Sequence, residues 1–250
     1  MEEHNRRMKE VIVSKDISEL SNRAADRLVE ISKESIAASG RFTVVLSGGS
    51  TPKALFRLLS SEAYENRVDW SKTFFFFGDE RNVPPDADES NFRMANENLF
   101  MPLGISDEKI FRWKTELGDP SAAADDYESK LRSTFDTKVP IFDLIFLGMG
   151  PDGHTASLFP HTKALDETGR LAVANPVPQM NMTRLTFTYP LINAAQNVAF
   201  LIAGADKADM FAKVVDGTED LHELPSSGID PKNGRLFWFA DSAAASRLKA

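Results

Sequence analysis

Phe142-Asp143-Leu144-Ile145-Phe146-Leu147-Gly148-Met149-Gly150-Pro151-Asp152-Gly153-His154 joins an apolar run to a turn holding three glycines, a proline, one carboxylate and one imidazole. The apolar half has the composition of a strand buried on both faces. Ligands bind at the carboxyl ends of strands in open α/β sheets, because the loops there surround a crevice. An Asp-Gly-His alone reads as an ordinary turn. Placed at the tip of a buried strand, His154 is instead positioned for proton transfer, with Asp152 beside it. Gly148, Gly150 and Gly153 also spell G-x-G-x-x-G, the spacing of a dinucleotide-binding turn. That reading requires a helix opening at the third glycine and an acid at the tip of the next strand. Pro160 cuts the segment after His154 short, and Leu171-Ala172-Val173-Ala174 runs into Asn175 and Pro176 without an acid. The nicotinamide reading therefore fails.

Outward from this stretch, apolar runs and helical patterns alternate. Strands are expected at 41–46, 74–77, 141–147, 184–188, 198–203 and 236–240. Helices are expected at 52–59, with Pro52 at the first position, and at 91–100, capped by Ser90. Further helices are expected at 120–135, capped by Asp119, at 205–215 and at 242–248. Such βαβα alternation predicts an α/β fold, a mostly parallel sheet flanked by helices on both faces. No repeat, low-complexity tract or Pro/Gly linker interrupts it, so residues 1–250 read as a single domain.

Composition narrows the function classes. The 29 basic and 37 acidic residues leave a net charge of −8, which disfavours nucleic acid or an anionic membrane as the main partner. No apolar run reaches the length of a membrane span. Met1-Glu2-Glu3-His4-Asn5-Arg6-Arg7 lacks the apolar stretch of a signal peptide. Zero cysteines exclude disulfides, thiolate catalysis and thiolate-held metal, and permit a cytoplasmic location. His4, His161 and His222 show no metal-ligand spacing, so no metal site is expected.

Two more strand-end loops carry chemistry. Ser47-Gly48-Gly49-Ser50-Thr51-Pro52 leads from a strand into a helix, where free N–H groups and hydroxyls suit an anion such as phosphate. It lacks the ending of a Walker loop, and an ordinary capped turn is the alternative. Ser47 as nucleophile is the weaker option, because Val45 stands where a nucleophile elbow needs glycine. Gly78-Asp79-Glu80-Arg81-Asn82-Val83-Pro84 places Asp79 and Arg81 at the tip of another apolar strand, where Arg81 can fork onto a phosphate or carboxylate. Taken singly, Arg184 and Lys207 read as surface cations.

These loops, with Asp88-Glu89-Ser90-Asn91 and the run from Leu147 to Pro160, closely resemble the 6-phosphogluconolactonase family. Arg184-Leu185-Thr186 with Tyr189-Pro190, Gly204 with Lys207-Ala208, and Leu236-Phe237-Trp238-Phe239 continue the match in order over residues 44–245. The related glucosamine-6-phosphate isomerase/deaminases would show Tyr in place of Arg81, and Ile-Ala-Phe-Asn-Glu-Pro in place of Thr155-Ala156-Ser157-Leu158-Phe159-Pro160. Both departures point to the lactonase. Ala240 stands where a larger apolar residue is common, away from the site.

The resemblance implies a fold like that of ribose-5-phosphate isomerase and the deaminases. It implies hydrolysis of 6-phospho-D-glucono-1,5-lactone to 6-phosphogluconate in the oxidative pentose phosphate pathway, with no cofactor. His154 would be the general base and Asp152 its orienting partner. Arg81, Arg184 and Lys207 would hold the phosphate or the developing oxyanion, and Ser47, Gly48, Gly49, Ser50 and Thr51 would sit at the phosphate end. The role of Asp79 stays open, since in the deaminases its counterpart abstracts a proton that a hydrolase leaves in place. The expected partner is the small sugar-phosphate lactone alone, handled by a cytoplasmic monomer or weak homo-oligomer. A sugar-phosphate isomerase/deaminase and a catalytically silent sugar-phosphate-binding regulator are the rival readings.

Overall fold

The computed structural model describes residues 9–217 and 220–249. The opening segment read above for a signal sequence lies outside them. In chain order the regular elements are β1 (Lys9–Ser14), α1 (Ile17–Ser39), β2 (Phe42–Leu46), α2 (Ser50–Leu59), β3 (Thr73–Phe77), β4 (Asp79–Arg81), α3 (Asn91–Ala95), α4 (Met101–Leu103), β5 (Ile110–Phe111) and α5 (Pro120–Phe135). They continue with β6 (Leu144–Leu147), β7 (Ala172–Val177), β8 (Met182–Phe187), α6 (Tyr189–Ile192), β9 (Asn197–Ile202), α7 (Ala208–Asp216) and β10 (Arg235–Asp241).

Seven strands pair in the order β1-β10-β9-β6-β2-β3-β5, every pair parallel. Every residue of β2, β6 and β9 is buried, so both faces of the sheet are covered. The expected α/β architecture is present. Absent from the sequence reading is a second, antiparallel sheet in the order β4-β8-β7. Of the strand expected at 184–188, residues 184–187 belong to this sheet and not to the parallel one, and Thr188 caps the next helix. The chain crosses between the sheets at Gly78, whose N–H donates to Leu46 O (3.1 Å) while its carbonyl accepts from Phe187 N–H (2.8 Å). β7 tolerates Pro176 because it is an edge strand.

An aromatic block fixes the end of β3. Phe76 stacks on Phe111 at 4.5 Å and meets Phe142 edge-on at 4.9 Å. β5 is too short to pair with the tip of β3. The buried Tyr127 hydroxyl therefore accepts from Phe77 N–H (2.9 Å), and the Trp113 indole donates to Phe77 O (3.0 Å). This holds rigid the point from which Asp79 and Arg81 depart.

Other boundaries differ from expectation for local reasons. α2 begins at Ser50, so Pro52 is its third residue, and Gly49 forms the cap with no side-chain bond. β6 begins at Leu144 because the Asp143 carboxylate accepts from Thr43 N–H (2.8 Å) and its hydroxyl (2.7 Å). The helix expected over 91–100 starts on its Ser90 cap but widens after Ala95. The stretches 205–215 and 242–248 hold α7 behind a 3₁₀ turn and a single 3₁₀ turn, respectively. Among the described residues no helix is long and apolar enough to cross a membrane.

Candidate active site

The carboxyl ends of β2, β3, β6 and β9 open onto a cleft of about 240 Å³. Its walls include Ser47, Gly48, Gly49, Asp79, Arg81, His154, Arg184 and Lys207. Asp152 stands behind His154, outside the wall. Ser50 and Thr51 lie in the first turn of α2 and do not line the cleft; Ser50 is exposed and Thr51 buried.

His154 is set by a tight turn rather than a helix. Gly150 N–H donates to His154 O (2.8 Å), and Gly153 N–H donates back to Gly150 O (3.1 Å). Gly153 takes a positive φ of 77°, open to glycine at little cost. A methyl group on Gly150 would fall within the His154 imidazole, so glycine there makes room for the ring. The Ser226 hydroxyl braces the turn by donating to Gly153 O (2.8 Å). The ring stacks on Phe159 with centroids 4.1 Å apart.

Asp152 Oδ1 lies 2.6 Å from His154 Nδ1 and also accepts from His154 N–H at 3.2 Å. Burial works to raise the Asp152 carboxyl, but the hydrogen bond and charge of His154 outweigh it and hold the group below the usual carboxylate range. An ionised Asp152 places the imidazole proton on Nδ1. Nε2 is then left with a lone pair free to take a proton. This is the arrangement of a base with its orienter.

Opposite lies the cationic wall. Arg81 and Arg184 are direct cross-strand partners in the β4/β8 pair. Arg81 Nη1 donates to Glu89 O (2.6 Å) and to Asn91 Oδ1 (2.7 Å). Arg184 Nε and Nη1 are buried, with no hydrogen-bond partner among the described residues. Burial, then repulsion from Arg81, pulls the Arg184 guanidinium below its ordinary value. Two arginines side by side, one with buried donors unspent, make a receptor for an anion of more than one oxygen. Lys207 adds a third cation, shared with Asp206 at 3.1 Å. Arg81 and Arg184 also line a larger adjoining hollow of about 520 Å³ with Val83 and Met182.

Sequence reasoning left out four residues that shape this site. Ser157 donates to Asp79 Oδ2 (2.8 Å), Glu80 caps α3 from below, and Asn91 binds both Asp79 and Arg81. Phe159 supports the imidazole. All four stand inside quoted motifs, but their roles depend on contacts that no spacing reveals. The described residues hold no group of three or more His, Asp or Glu side chains arranged to bind a metal.

Residues 15–238 match the family described as glucosamine-6-phosphate isomerases/6-phosphogluconolactonase. A 6-phosphogluconolactonase from Synechocystis sp. is 40% identical over 244 residues, covering 96% of this chain and 98% of that one. One from Nostoc sp. is 39% identical over 243 residues, with the same coverage of 96% and 98%. The solved structure of 6-phosphogluconolactonase from Trypanosoma cruzi superimposes with a TM-score of 0.87 at 30% identity, over 100% of both chains.

Proposed function

The chain belongs to the glucosamine-6-phosphate isomerase/6-phosphogluconolactonase family, and from that membership we infer that it hydrolyses 6-phospho-D-glucono-1,5-lactone to 6-phosphogluconate in the pentose phosphate pathway. The observation that carries the substrate assignment is the Arg184 guanidinium, whose buried Nε and Nη1 lack partners among the described residues, on the wall of the cleft that holds the His154/Asp152 pair. Unspent donors of a cation, next to a second arginine and a lysine, call for a phosphate.

The chemistry follows from the residues. His154 Nε2 takes a proton from a water as its oxygen attacks C1 of the lactone. The carbonyl electron pair moves onto oxygen, and a tetrahedral intermediate forms. As that pair returns, the bond from C1 to the ring oxygen breaks. His154 passes its proton to the departing ring oxygen, and the new carboxylic acid ionises to solvent. Asp152 holds the ring in the tautomer that does this and balances its transient charge. A lactone carbonyl is already electrophilic, so one positioned base suffices, without a metal or covalent intermediate. Arg81, Arg184 and Lys207 hold the phosphate at the far end of the substrate. Asp79, bonded to Ser157 and Asn91, shapes the wall rather than moving a proton.

A monomer or weak homo-oligomer is the working unit of this reading, and a contiguous hydrophobic cluster supports a single domain. The cysteine-free composition fits a cytoplasmic enzyme. The deciding experiment is a coupled assay on freshly generated lactone, corrected for spontaneous hydrolysis, run beside unphosphorylated gluconolactone. A large preference in kcat/KM for the phosphorylated lactone is expected. Equal values would remove the phosphate assignment. Ammonia release from glucosamine-6-phosphate at a comparable rate would replace the hydrolase with a deaminase.

A further inference from the structure

Asn91 is 1% exposed, yet three parts of the cleft meet on its side chain. Its Oδ1 accepts from Arg81 Nη1 at 2.7 Å. Its Nδ2 donates to the Asp79 carbonyl at 3.0 Å and to Asp79 Oδ1 at 3.3 Å. The third contact is with Gly48. A methyl group there would collide with Asn91 Oδ1 and stand 2.6 Å from its Cγ. The backbone N–H of Asn91 is anchored separately, on Glu80 Oε1 at 2.8 Å.

Chemistry fixes the orientation of this amide. A guanidinium only donates and a carbonyl only accepts, so the oxygen must face Arg81 and the nitrogen must face Asp79. Aspartate, of the same shape, would set an acceptor against two acceptors. Leucine would satisfy neither neighbour. A longer side chain would not fit under Gly48. Bound in this way, Nη1 becomes the fixed end of the Arg81 guanidinium, and its Nε/Nη2 edge is left for an anion.

We propose that Asn91 is the positioning residue of the cleft, setting the Arg81 guanidinium for phosphate and locking it to Asp79 and the 47–51 loop. The proposal rests on the reading of the cleft as a phosphate site. It also gives Gly48 its purpose: glycine is required there by the close approach of Asn91, because Gly48 itself takes no positive φ.

The test uses Asn91→Ala, Asn91→Asp, Arg81→Ala and Gly48→Ala, singly and combined, assayed on phosphorylated and plain lactone. Asn91→Ala should raise KM for the phosphorylated lactone about tenfold, from one lost hydrogen bond to a charged group. It should leave kcat within about twofold and cost clearly less on the plain lactone than on the phosphorylated one. Arg81→Ala/Asn91→Ala should be no worse than Arg81→Ala alone, because Asn91 acts through Arg81. Gly48→Ala alone should raise KM, and adding Asn91→Ala should recover part of that loss by removing the atoms its methyl would strike. Additive losses, equal losses on both lactones, or no recovery would overturn the proposal. If Asn91→Ala fails to fold, Asn91→Leu makes the same test with nearly unchanged volume, whereas Asn91→Asp keeps an acceptor for Arg81 and breaks only the contacts to Asp79. Binding of inorganic phosphate, followed calorimetrically in the same variants, separates the two levels of inference. Coupling between positions 81 and 91 in a protein inert toward lactone would sink the lactonase reading and keep the Asn91 assignment. An active wild type without that coupling would do the reverse.

Discussion

If Arg184 is held in readiness for an anion, the ligand-free protein bears a cost that its removal should relieve. Arg184→Met keeps most of the apolar stem and deletes the charge. In the free protein this abolishes two buried donors without partners, Nε and Nη1, and the repulsion from Arg81 opposite. A buried donor left unsatisfied costs about 1–3 kcal/mol. The Arg184 residue as a whole is only half-buried, so the lower end applies, roughly 1–2 kcal/mol for the pair. In a protein of this size each kcal/mol moves the melting temperature by about 2–4 °C, giving a rise of roughly 2–8 °C.

The same change should cost binding. Hydrogen bonds to charged groups contribute about 1.5–3 kcal/mol, so KM for the phosphorylated lactone should rise by roughly 10- to 150-fold. The assay pairs thermal unfolding in phosphate-free buffer with steady-state kinetics. Adding inorganic phosphate should stabilise the wild type, because a ligand selective for the folded state shifts the equilibrium, and should stabilise the variant far less. A variant that melts lower than wild type without phosphate and keeps its KM would refute the reasoning. Arg184 would then be a structural side chain whose donors bond elsewhere.

His154→Asn should lower kcat by about 10²–10⁴ with the fold intact, the usual size of a lost general base, and near-normal turnover in a folded variant would move the role elsewhere. The acid limb of kcat/KM should have unit slope. Asp152 is held below the usual carboxylate range, so it stays ionised while one proton on the base switches activity off; a slope of two would show both groups titrating together. For the same reason the Asp152/His154 contact stabilises the fold above the ordinary carboxylate pKa and is lost as pH falls through the depressed value, which a pH series of unfolding curves with Asp152→Asn as reference would detect. Gly150→Ala, at a position with ordinary negative φ, should displace the imidazole and cut kcat while sparing KM, and unchanged kcat would show the turn yielding instead.

The strand ends were legible because their signals are local. An apolar run stopping at glycines marks β2, β3 and β6, and their tips do converge on one cleft. β1 and α1 escaped although α1 carries a sequence signature. Asp16 caps it by accepting from Glu19 N–H (2.9 Å), and the Glu19 side chain reaches back to Lys15 N–H (2.9 Å). That pattern in residues 15–19 is a local signature of a helix start. The second sheet was beyond local reading. β4 is three residues long and all three are charged, and only pairing with β8, about a hundred positions on, makes it a strand. Arg184 and Lys207 gained their place through family resemblance, since neither is unusual among its neighbours. The loop's composition draws Ser50 and Thr51 toward the site, but the helix begins at Ser50, two residues before Pro52, and neither residue lines the cleft.

The triplet Asp79-Glu80-Arg81 shows what the fold adds to a charge run. As a loop, its three side chains would be interchangeable in aim. As a strand, alternate residues face opposite ways. Asp79 and Arg81 accordingly face the cleft, and Glu80 turns beneath it, 3% exposed. There it accepts from Asn91 N–H (2.8 Å), Phe92 N–H (2.9 Å), the Ser90 hydroxyl (3.2 Å) and Arg81 N–H (2.8 Å). Burial pushes the Glu80 carboxyl above its ordinary value against the pull of those N–H donors. Three of the four donors come from the Ser90 cap and the first turn of α3, so Glu80 binds that turn to β4 and sets Asn91 at the height where its amide reaches Arg81. One carboxylate of the run is thus bound beneath the cleft, and its two neighbours face into it, Asp79 as wall and Arg81 as a cation for the substrate. Pairing with β8 makes that division, because without the strand no alternation would separate Glu80 from Arg81.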